Sequence, residues 1–101
     1  MRGPTVLYHS RHPQNKILAK TLQKYLNKIE YSNLEPVNHA PQERKNLYIL
    51  KAKKTPGVIV EVGFITNDLD RRLLLKEAYQ EILVQAIYKG IEEYFSGFKF
   101  I

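Results

Sequence analysis

Residues 58–62 form an apolar segment that carries one acidic residue, Glu61. The segment has the length and the β-branched composition of a buried strand. An ionised carboxylate is costly to bury unless it is paired or its pKa shifts. A strand that delivers a carboxylate to its carboxyl end is a common way to build a site in an α/β sheet. Glu61 is therefore either a site residue or a solvent-facing residue of a half-exposed strand.

Hydrophobic periodicity predicts strands that alternate with helices, which is typical of an α/β layer architecture. The predicted strands lie at 3–9, 47–50 and 58–62, and the predicted helices at 14–29, 68–75 and 77–95. The strand at 58–62 is expected to be central, because it is apolar on both faces apart from its carboxylate. The polar segment 30–45 is predicted to be a long surface loop.

Helical spacing also predicts which side chains are buried. On the first helix these are Leu18, Leu22, Tyr25, Leu26 and Ile29. On the last they are Tyr79, Ile82, Leu83, Ala86, Ile87, Gly90, Ile91 and Tyr94. Gly90 is expected to allow close packing against the sheet, since glycine costs about 1 kcal/mol against alanine within a helix. Asn67 is predicted to cap the middle helix, with Asp68 and Asp70 at its positive end.

Residues 55–67 have the sequence Thr-Pro-Gly-Val-Ile-Val-Glu-Val-Gly-Phe-Ile-Thr-Asn. This segment resembles the C-terminal signature of the zinc-dependent N-acetylmuramoyl-L-alanine amidases, and most of all the members that act in sporulation and germination. Residues 46–51 are similar to the strand before that signature, and 79–91 to the closing helix. The resemblance extends from about Gly3 to Phe95. It implies a peptidoglycan hydrolase that cuts the amide between N-acetylmuramic acid and the L-alanine of the stem peptide.

In that family the carboxylate at the position of Glu61 is the general base. The resemblance therefore implies that Glu61 takes a proton from a zinc-activated water and later gives it to the leaving amine. The family's zinc ligands, a His, a Glu and a second His, precede the strand that residues 3–8 resemble. We therefore expect zinc in the complete enzyme, with ligands upstream of this chain and none within it.

These expectations define the domain. Residues 1–101 are predicted to be the C-terminal part of a single amidase catalytic domain, inactive alone. The expected fold is α/β, a partial three-layer sheet with helices packed on it that lacks its N-terminal strands. The open edge beside residues 58–60 is expected to make the chain self-associate. The alternative is a binding or regulatory module that keeps the amidase fold without the metal.

Other side chains are weaker candidates. His9, His12 and His39 are not expected to bind metal, since none matches a ligand position of the family. His39 and Arg44, both in the long polar loop, are candidates to bind the peptide carboxylates of the substrate. Two aromatic residues, Tyr48 and Phe64, are more easily explained by packing than by stacking on substrate.

The chain is basic, with 16 Lys and Arg against 10 Asp and Glu and a net charge of +6. This charge favours polyanions such as teichoic acids or anionic peptidoglycan. It also fits a small basic nucleic-acid-binding domain, but the basic residues are not concentrated on one element with interleaved aromatics. The spacing of Lys16, Lys20, Lys24 and Lys28 is typical of a solvated helix face. We expect peptidoglycan, and no nucleic acid, as the partner.

The sequence contains no membrane-spanning segment, because no stretch approaches about 18 consecutive apolar residues. Its first residues lack the apolar region of a signal peptide. The resemblance implies an extracytoplasmic location, in the cell wall or spore envelope. An export signal is then expected upstream of this chain.

Overall fold

The computed structural model describes residues 1–47 and 54–97. Its strands are β1 (Thr5–Tyr8), β2 (Gln42–Glu43) and β3 (Ile59–Glu61), and its helices are α1 (Pro13–Leu26), α2 (Asp68–Leu74) and α3 (Glu77–Ser96). These bounds confirm the predicted α/β class and the three predicted helices. The strand predicted at 47–50, with Tyr48, lies outside the described residues apart from Leu47, which is in coil.

The three described strands form one mixed sheet in the order β2-β1-β3. β1 pairs in parallel with β2 and antiparallel with β3, so that Thr5 lies opposite Glu61 and Leu7 opposite Ile59. β2 falls in the segment predicted as loop, because a two-residue polar strand leaves no periodicity to detect. Among the described strands, β3 lies at the end of the order and not at its centre as predicted. β1 is the central one, and its four residues are all buried.

One face of the sheet packs against the helices. Side chains alternate between the two faces of a strand, and Val6, Tyr8 and Val60 are the ones that join the helix-packed core. The helices contribute Ala19, Leu22 and Leu26 from α1, Leu73 from α2, and Tyr79, Leu83 and Ala86 from α3. Burying a large apolar side chain stabilises a fold by about 1.5–3 kcal/mol. This single core therefore holds the three helices on the sheet.

Helix α3 packs closely on α1 at Gly90. A Cβ atom at this position would lie 2.5 Å from Leu22 Cδ2 and 3.0 Å from Leu22 Cα. The predicted close packing is thus confirmed, but its partner is α1 and not the sheet. The prediction that Ile91 is buried is wrong. Its side chain is 41% exposed, and it follows Val84 and Tyr88 at helical spacing on the exposed side of α3.

A buried amide joins α1 to the central described strand, β1. Gln23 Oε1 accepts a hydrogen bond from Val6 N at 2.8 Å, and Gln23 Nε2 donates to the Pro4 carbonyl at 3.1 Å. Since buried polar groups need partners, these two bonds fix the distance between helix and strand. The three lysines of α1, and Lys28 just after the helix, are all exposed, as their spacing predicts.

Candidate active site

Glu61 is the last residue of β3, and its side chain is half-buried. By alternation it faces the same side of the sheet as Ile59, opposite to the side that Val60 shares with the helices. Within residues 1–47 and 54–97 its carboxylate makes no hydrogen bond or ion pair. A partly buried carboxylate with no competing partner in this part of the chain is placed to exchange a proton with a bound water or substrate.

The cross-strand neighbour of Glu61 is Thr5. Directly opposed residues of an antiparallel pair lie on one face, with Cβ atoms about 5 Å apart. Thr5 is 1% exposed, and its hydroxyl oxygen is a buried side-chain atom with no hydrogen-bond partner among the described residues. Buried polar groups are nearly always paired. The face that carries Glu61 therefore holds an unused hydrogen-bonding group beside the carboxylate.

The loop that follows Glu61 is held by a second carboxylate, that of Asp70. This residue is 2% exposed. Its Oδ1 and Oδ2 accept hydrogen bonds from Gly3 N at 3.1 and 3.0 Å, and Oδ2 also accepts one from Phe64 N at 2.8 Å. Asp70 thus joins Gly3, two residues before β1, to the turn after β3 and to helix α2.

The local sequence explains how Asp70 reaches this position. Asn67 caps α2 as predicted, because its Oδ1 accepts a hydrogen bond from Asp70 N at 3.0 Å. Asp70 is the third residue of the helix, where an acidic side chain commonly bonds back to the backbone N–H of the capping residue. Here that N–H donates instead to the Phe64 carbonyl at 2.9 Å. The carboxylate of Asp70 is therefore available to the neighbouring backbone.

Burial and charge near Asp70 also affect Tyr79. Burial raises the pKa of the Tyr79 hydroxyl above its ordinary value, and the negative charge of Asp70 raises it further. The phenol therefore stays protonated through the neutral pH range, and the core beside the site carries a neutral ring.

His39 lies close to this junction. Its Nε2 is 2.6 Å from the Arg2 carbonyl oxygen, and its ring centroid is 6.5 Å from that of Phe64. Asn27 holds the loop in place, since its Nδ2 donates to the His39 carbonyl at 2.8 Å and its Oδ1 accepts from His39 N at 3.2 Å. A carbonyl oxygen can only accept, so Nε2 carries a proton and Nδ1 is left to bind other groups.

Arg44 lies at the other end of β1. Its backbone N donates to the Tyr8 carbonyl at 2.8 Å, and its exposed guanidinium donates to Gln42 Oε1. Three residues of strand separate Tyr8 from Thr5, or about 10 Å. The structure therefore brings His39, but not Arg44, to the end of the sheet where the strand carrying Glu61 finishes.

The described residues contain no group of three or more His, Cys, Asp or Glu side chains that could hold a metal ion. His9 and His12 each bind the backbone two residues further on, because Nδ1 of each ring accepts a hydrogen bond from a backbone N–H at 3.0 Å. Phe64 is half-buried beside His39, in keeping with its predicted packing role.

Among the described helices, none is long and apolar enough to cross a membrane.

Sequence reasoning did not identify Thr5 or Asp70 as parts of this region. Asp70 was predicted only as a charge at the positive end of α2. The available signal was its position three residues after the Asn67 cap. That position predicts a carboxylate directed at backbone N–H groups, but not which ones.

Several known proteins resemble this chain in sequence and in fold. The family model described as N-acetylmuramoyl-L-alanine amidase matches residues 1–93. The germination-specific N-acetylmuramoyl-L-alanine amidase of Bacillus subtilis is 32% identical over 94 residues, which are 93% of this chain and 38% of that protein. The probable cell wall amidase LytH of Staphylococcus aureus is 30% identical over 95 residues, 94% of this chain and 30% of LytH.

Among solved structures, the CwlD amidase of Clostridioides difficile, in complex with the GerS lipoprotein, superposes with a TM-score of 0.85 at 32% identity. The superposition covers 97% of this chain and 48% of that one. The chain thus spans less than half the length of these relatives. Because the family match includes nearly all of the described residues, the chain belongs to the N-acetylmuramoyl-L-alanine amidase family.

Proposed function

We propose that the protein containing this chain is a peptidoglycan hydrolase that cleaves the amide between N-acetylmuramic acid and the L-alanine of the stem peptide. The observation that carries the proposal is the position of Glu61. Its carboxylate ends β3 inside the segment that resembles the family signature, half-buried and without a hydrogen bond or ion pair among the described residues. The names of the relatives, a germination-specific amidase and a probable cell wall amidase, support the same substrate.

In this proposal Glu61 is the general base of the hydrolysis. It takes a proton from the attacking water while the water oxygen bonds to the amide carbon. The carbon–nitrogen bond then breaks, and the proton passes from Glu61 to the leaving amine of L-alanine. The products are the lactyl carboxylate and the free peptide amine, and Glu61 is again ionised.

The described residues do not fit a zinc site, since they contain no cluster of ligands. No step of the reaction above is therefore assigned to a metal. We propose that the complete enzyme is zinc-dependent, as the family resemblance implies, with its ligands outside the described residues. This chain is accordingly proposed to be the C-terminal part of one catalytic domain, with no activity by itself.

The decisive variant is Glu61→Gln in the complete protein. Turnover should fall by roughly 10² or more, the usual scale for losing a general base, while the melting temperature and metal content stay unchanged. The assay is release of stem-peptide amino groups from purified peptidoglycan. Glu43→Gln, which alters an exposed strand carboxylate in β2, is the control and should keep full activity.

If Glu61→Gln remained within a few-fold of the wild type, Glu61 would be structural and the proposed function would fail. If the complete wild-type protein released no amino groups but still bound peptidoglycan, the binding-module alternative would replace it.

His39 and Arg44 are proposed to bind the carboxylates of the peptide. Because Nε2 of His39 is directed at the Arg2 carbonyl, only Nδ1 can serve a ligand, and it can donate to a carboxylate only when the ring is doubly protonated. Arg44 is permanently charged and exposed. Its position about 10 Å along the sheet suits a more distant part of an extended peptide.

We propose that the enzyme acts outside the cytoplasm, at the cell wall or spore envelope, as the names of its relatives support.

We also propose that the isolated chain self-associates. Two features support this. Among the described strands, β3 lies at one end of the sheet. The side chains of Val84 and Tyr88 are exposed on α3. Sedimentation velocity at micromolar concentration should show a species larger than 11.8 kDa. A strictly monomeric chain would contradict this proposal.

A further inference from the structure

Two glycines and a carboxylate meet directly beyond Glu61. Gly3 lies two residues before Thr5 and Gly63 two residues after Glu61, and both contact Asp70. Gly3 has a φ of +89°, a conformation that favours glycine, and a Cβ there would lie 2.8 Å from Val37 Cγ1. A Cβ on Gly63 would lie 3.2 Å from Asp70 Cβ. Backbone and carboxylate are therefore packed with little free space at the end of β3.

The carboxylate of Asp70 uses both oxygens in this junction. Gly3 N donates to Oδ1 and Oδ2, and Phe64 N donates to Oδ2. Hydrogen bonds to an ionised acceptor are roughly twice as strong as those between neutral groups. The bonds from Gly3 join two residues, Gly3 and Asp70, that are 67 apart in sequence. The bond from Phe64 N comes from a residue that lies three positions after Glu61.

A general base must be held within about 0.5 Å of the position from which it can hydrogen-bond to the group whose proton it takes. The backbone of Glu61 is fixed on one side by its pairing with β1. On the other side the chain turns at once, and the first backbone N–H anchored to another element is that of Phe64, bonded to Asp70. Asp70 does not share the sheet pairing of Glu61, and its carboxylate is fully used by backbone donors. Its contribution to the reaction is therefore one of geometry.

We infer that Asp70 is a positioning residue of the amidase reaction, which sets the direction of the Glu61 carboxylate by anchoring the turn after β3 to the start of β1. This inference rests on the proposed role of Glu61. It predicts that loss of the Asp70 carboxylate slows the chemical step and leaves substrate binding largely unchanged, because Asp70 is buried and its carboxylate binds backbone N–H groups.

The test uses Asp70→Asn in the complete protein. Asparagine keeps the shape but replaces one acceptor oxygen by an NH2 group, which would face the Gly3 N–H. Because a small misplacement of a catalytic group can cost as much as 10²-fold, kcat should fall about 10-fold or more, with KM changed by less than about 3-fold. The same substitution in a Glu61→Gln background should have almost no further effect on kcat, since both changes then act on one step.

Two matched controls separate positioning from stability. Asp68→Asn removes an exposed carboxylate from the same helix turn and should leave kcat unchanged. Asn67→Ala removes the helix cap and should lower the melting temperature, while the Asp70 carboxylate stays in place. If Asp70→Asn lowered only the melting temperature, as Asn67→Ala should, or lowered kcat equally in the Glu61→Gln background, the inference would be wrong. If Glu61→Gln itself were active, the proposed function would fail and the inference with it.

A second substitution in the complete protein keeps the inference testable if the Asn variant does not fold. Asp70→Glu keeps the negative charge and both acceptor oxygens, but its side chain is one methylene longer, so the carboxylate cannot bond Gly3 N and Phe64 N in the same geometry. For this variant too, kcat should fall about 10-fold or more, with KM changed by less than about 3-fold. Wild-type kcat in a folded Asp70→Glu variant would overturn the inference.

Discussion

The two faces of the β1–β3 pair are built differently. On the helix side, Val6 and Val60 lie in the apolar core. On the other side, their neighbours Thr5 and Glu61 place an unpaired hydroxyl next to a carboxylate that has no partner among the described residues. The first face stabilises the fold, and the second leaves the buried Thr5 hydroxyl without a partner in the part of the chain that the structure describes, at a cost in stability. Such a contrast is expected where strands carry both a core and a site.

The largest effect on stability should come from the core face. Leu26 is fully buried in α1, and Leu26→Ala should lower the free energy of unfolding by about 2–5 kcal/mol through lost burial and a cavity. Ile17→Ala, on the exposed side of the same helix, should change it by less than about 0.5 kcal/mol. Urea denaturation followed by circular dichroism measures both. Similar losses for the two variants would show that the helix face assignments are wrong.

On the other face of the β1–β3 pair, a substitution is expected to raise the free energy of unfolding. Thr5→Val replaces the unpaired hydroxyl with a methyl group and should stabilise the chain by about 1 kcal/mol, because an unsatisfied polar group is removed. Thr21→Val is the matched control. Its hydroxyl donates to the Ile17 carbonyl at 2.8 Å near the surface, so its loss should bring no gain. Destabilisation by Thr5→Val would show that this hydroxyl is paired in solution and would weaken the contrast between the faces.

The smallest effect concerns the exposed rim where α1 meets α3. Lys24 and Tyr25 both donate hydrogen bonds to Glu93, and these bonds, with the Lys24 bond first, lower the pKa of Glu93 below its ordinary value of 4.5. A carboxylate with a lowered folded pKa stabilises the fold above its unfolded pKa. That stability is lost as the pH falls through the folded pKa.

Glu93→Gln should therefore cost a little stability at neutral pH and nothing at strongly acid pH. Denaturant midpoints measured from pH 7 to pH 2 would show this convergence, with Glu92→Gln as the control on the adjacent exposed position. Added salt should reduce the difference, since exposed charges are screened. A difference that persisted at low pH would mean that packing, and not charge, accounts for the contact.

Features of the fold that depend on neighbouring residues in the sequence are predicted correctly. The helices follow from apolar periodicity and the start of α2 from the Asn67 cap. The cost of a carboxylate in an apolar strand drew attention to Glu61 but left a site residue and a solvent-facing residue as alternatives, and its role as a base, which the family resemblance implies, stays a prediction. The part that was missed depends on long-range contacts. Asp70 binds Gly3 across 67 residues, β2 exists only because β1 lies beside it, and Ile91 is exposed because α1 packs on the Gly90 side of α3. No local pattern specifies these partners.

The bond between Gln23 and Val6 has a consequence for how the chain opens. The Val6 N–H belongs to the central described strand, yet its acceptor is a side chain of α1 and not a neighbouring strand. Protection of this amide against exchange with deuterated water therefore reports on the docking of the helix rather than on sheet pairing. If α1 detached before the strands separated, the Val6 amide would exchange ahead of the ladder amides of β1. This one backbone proton thus records the order in which helix and sheet come apart.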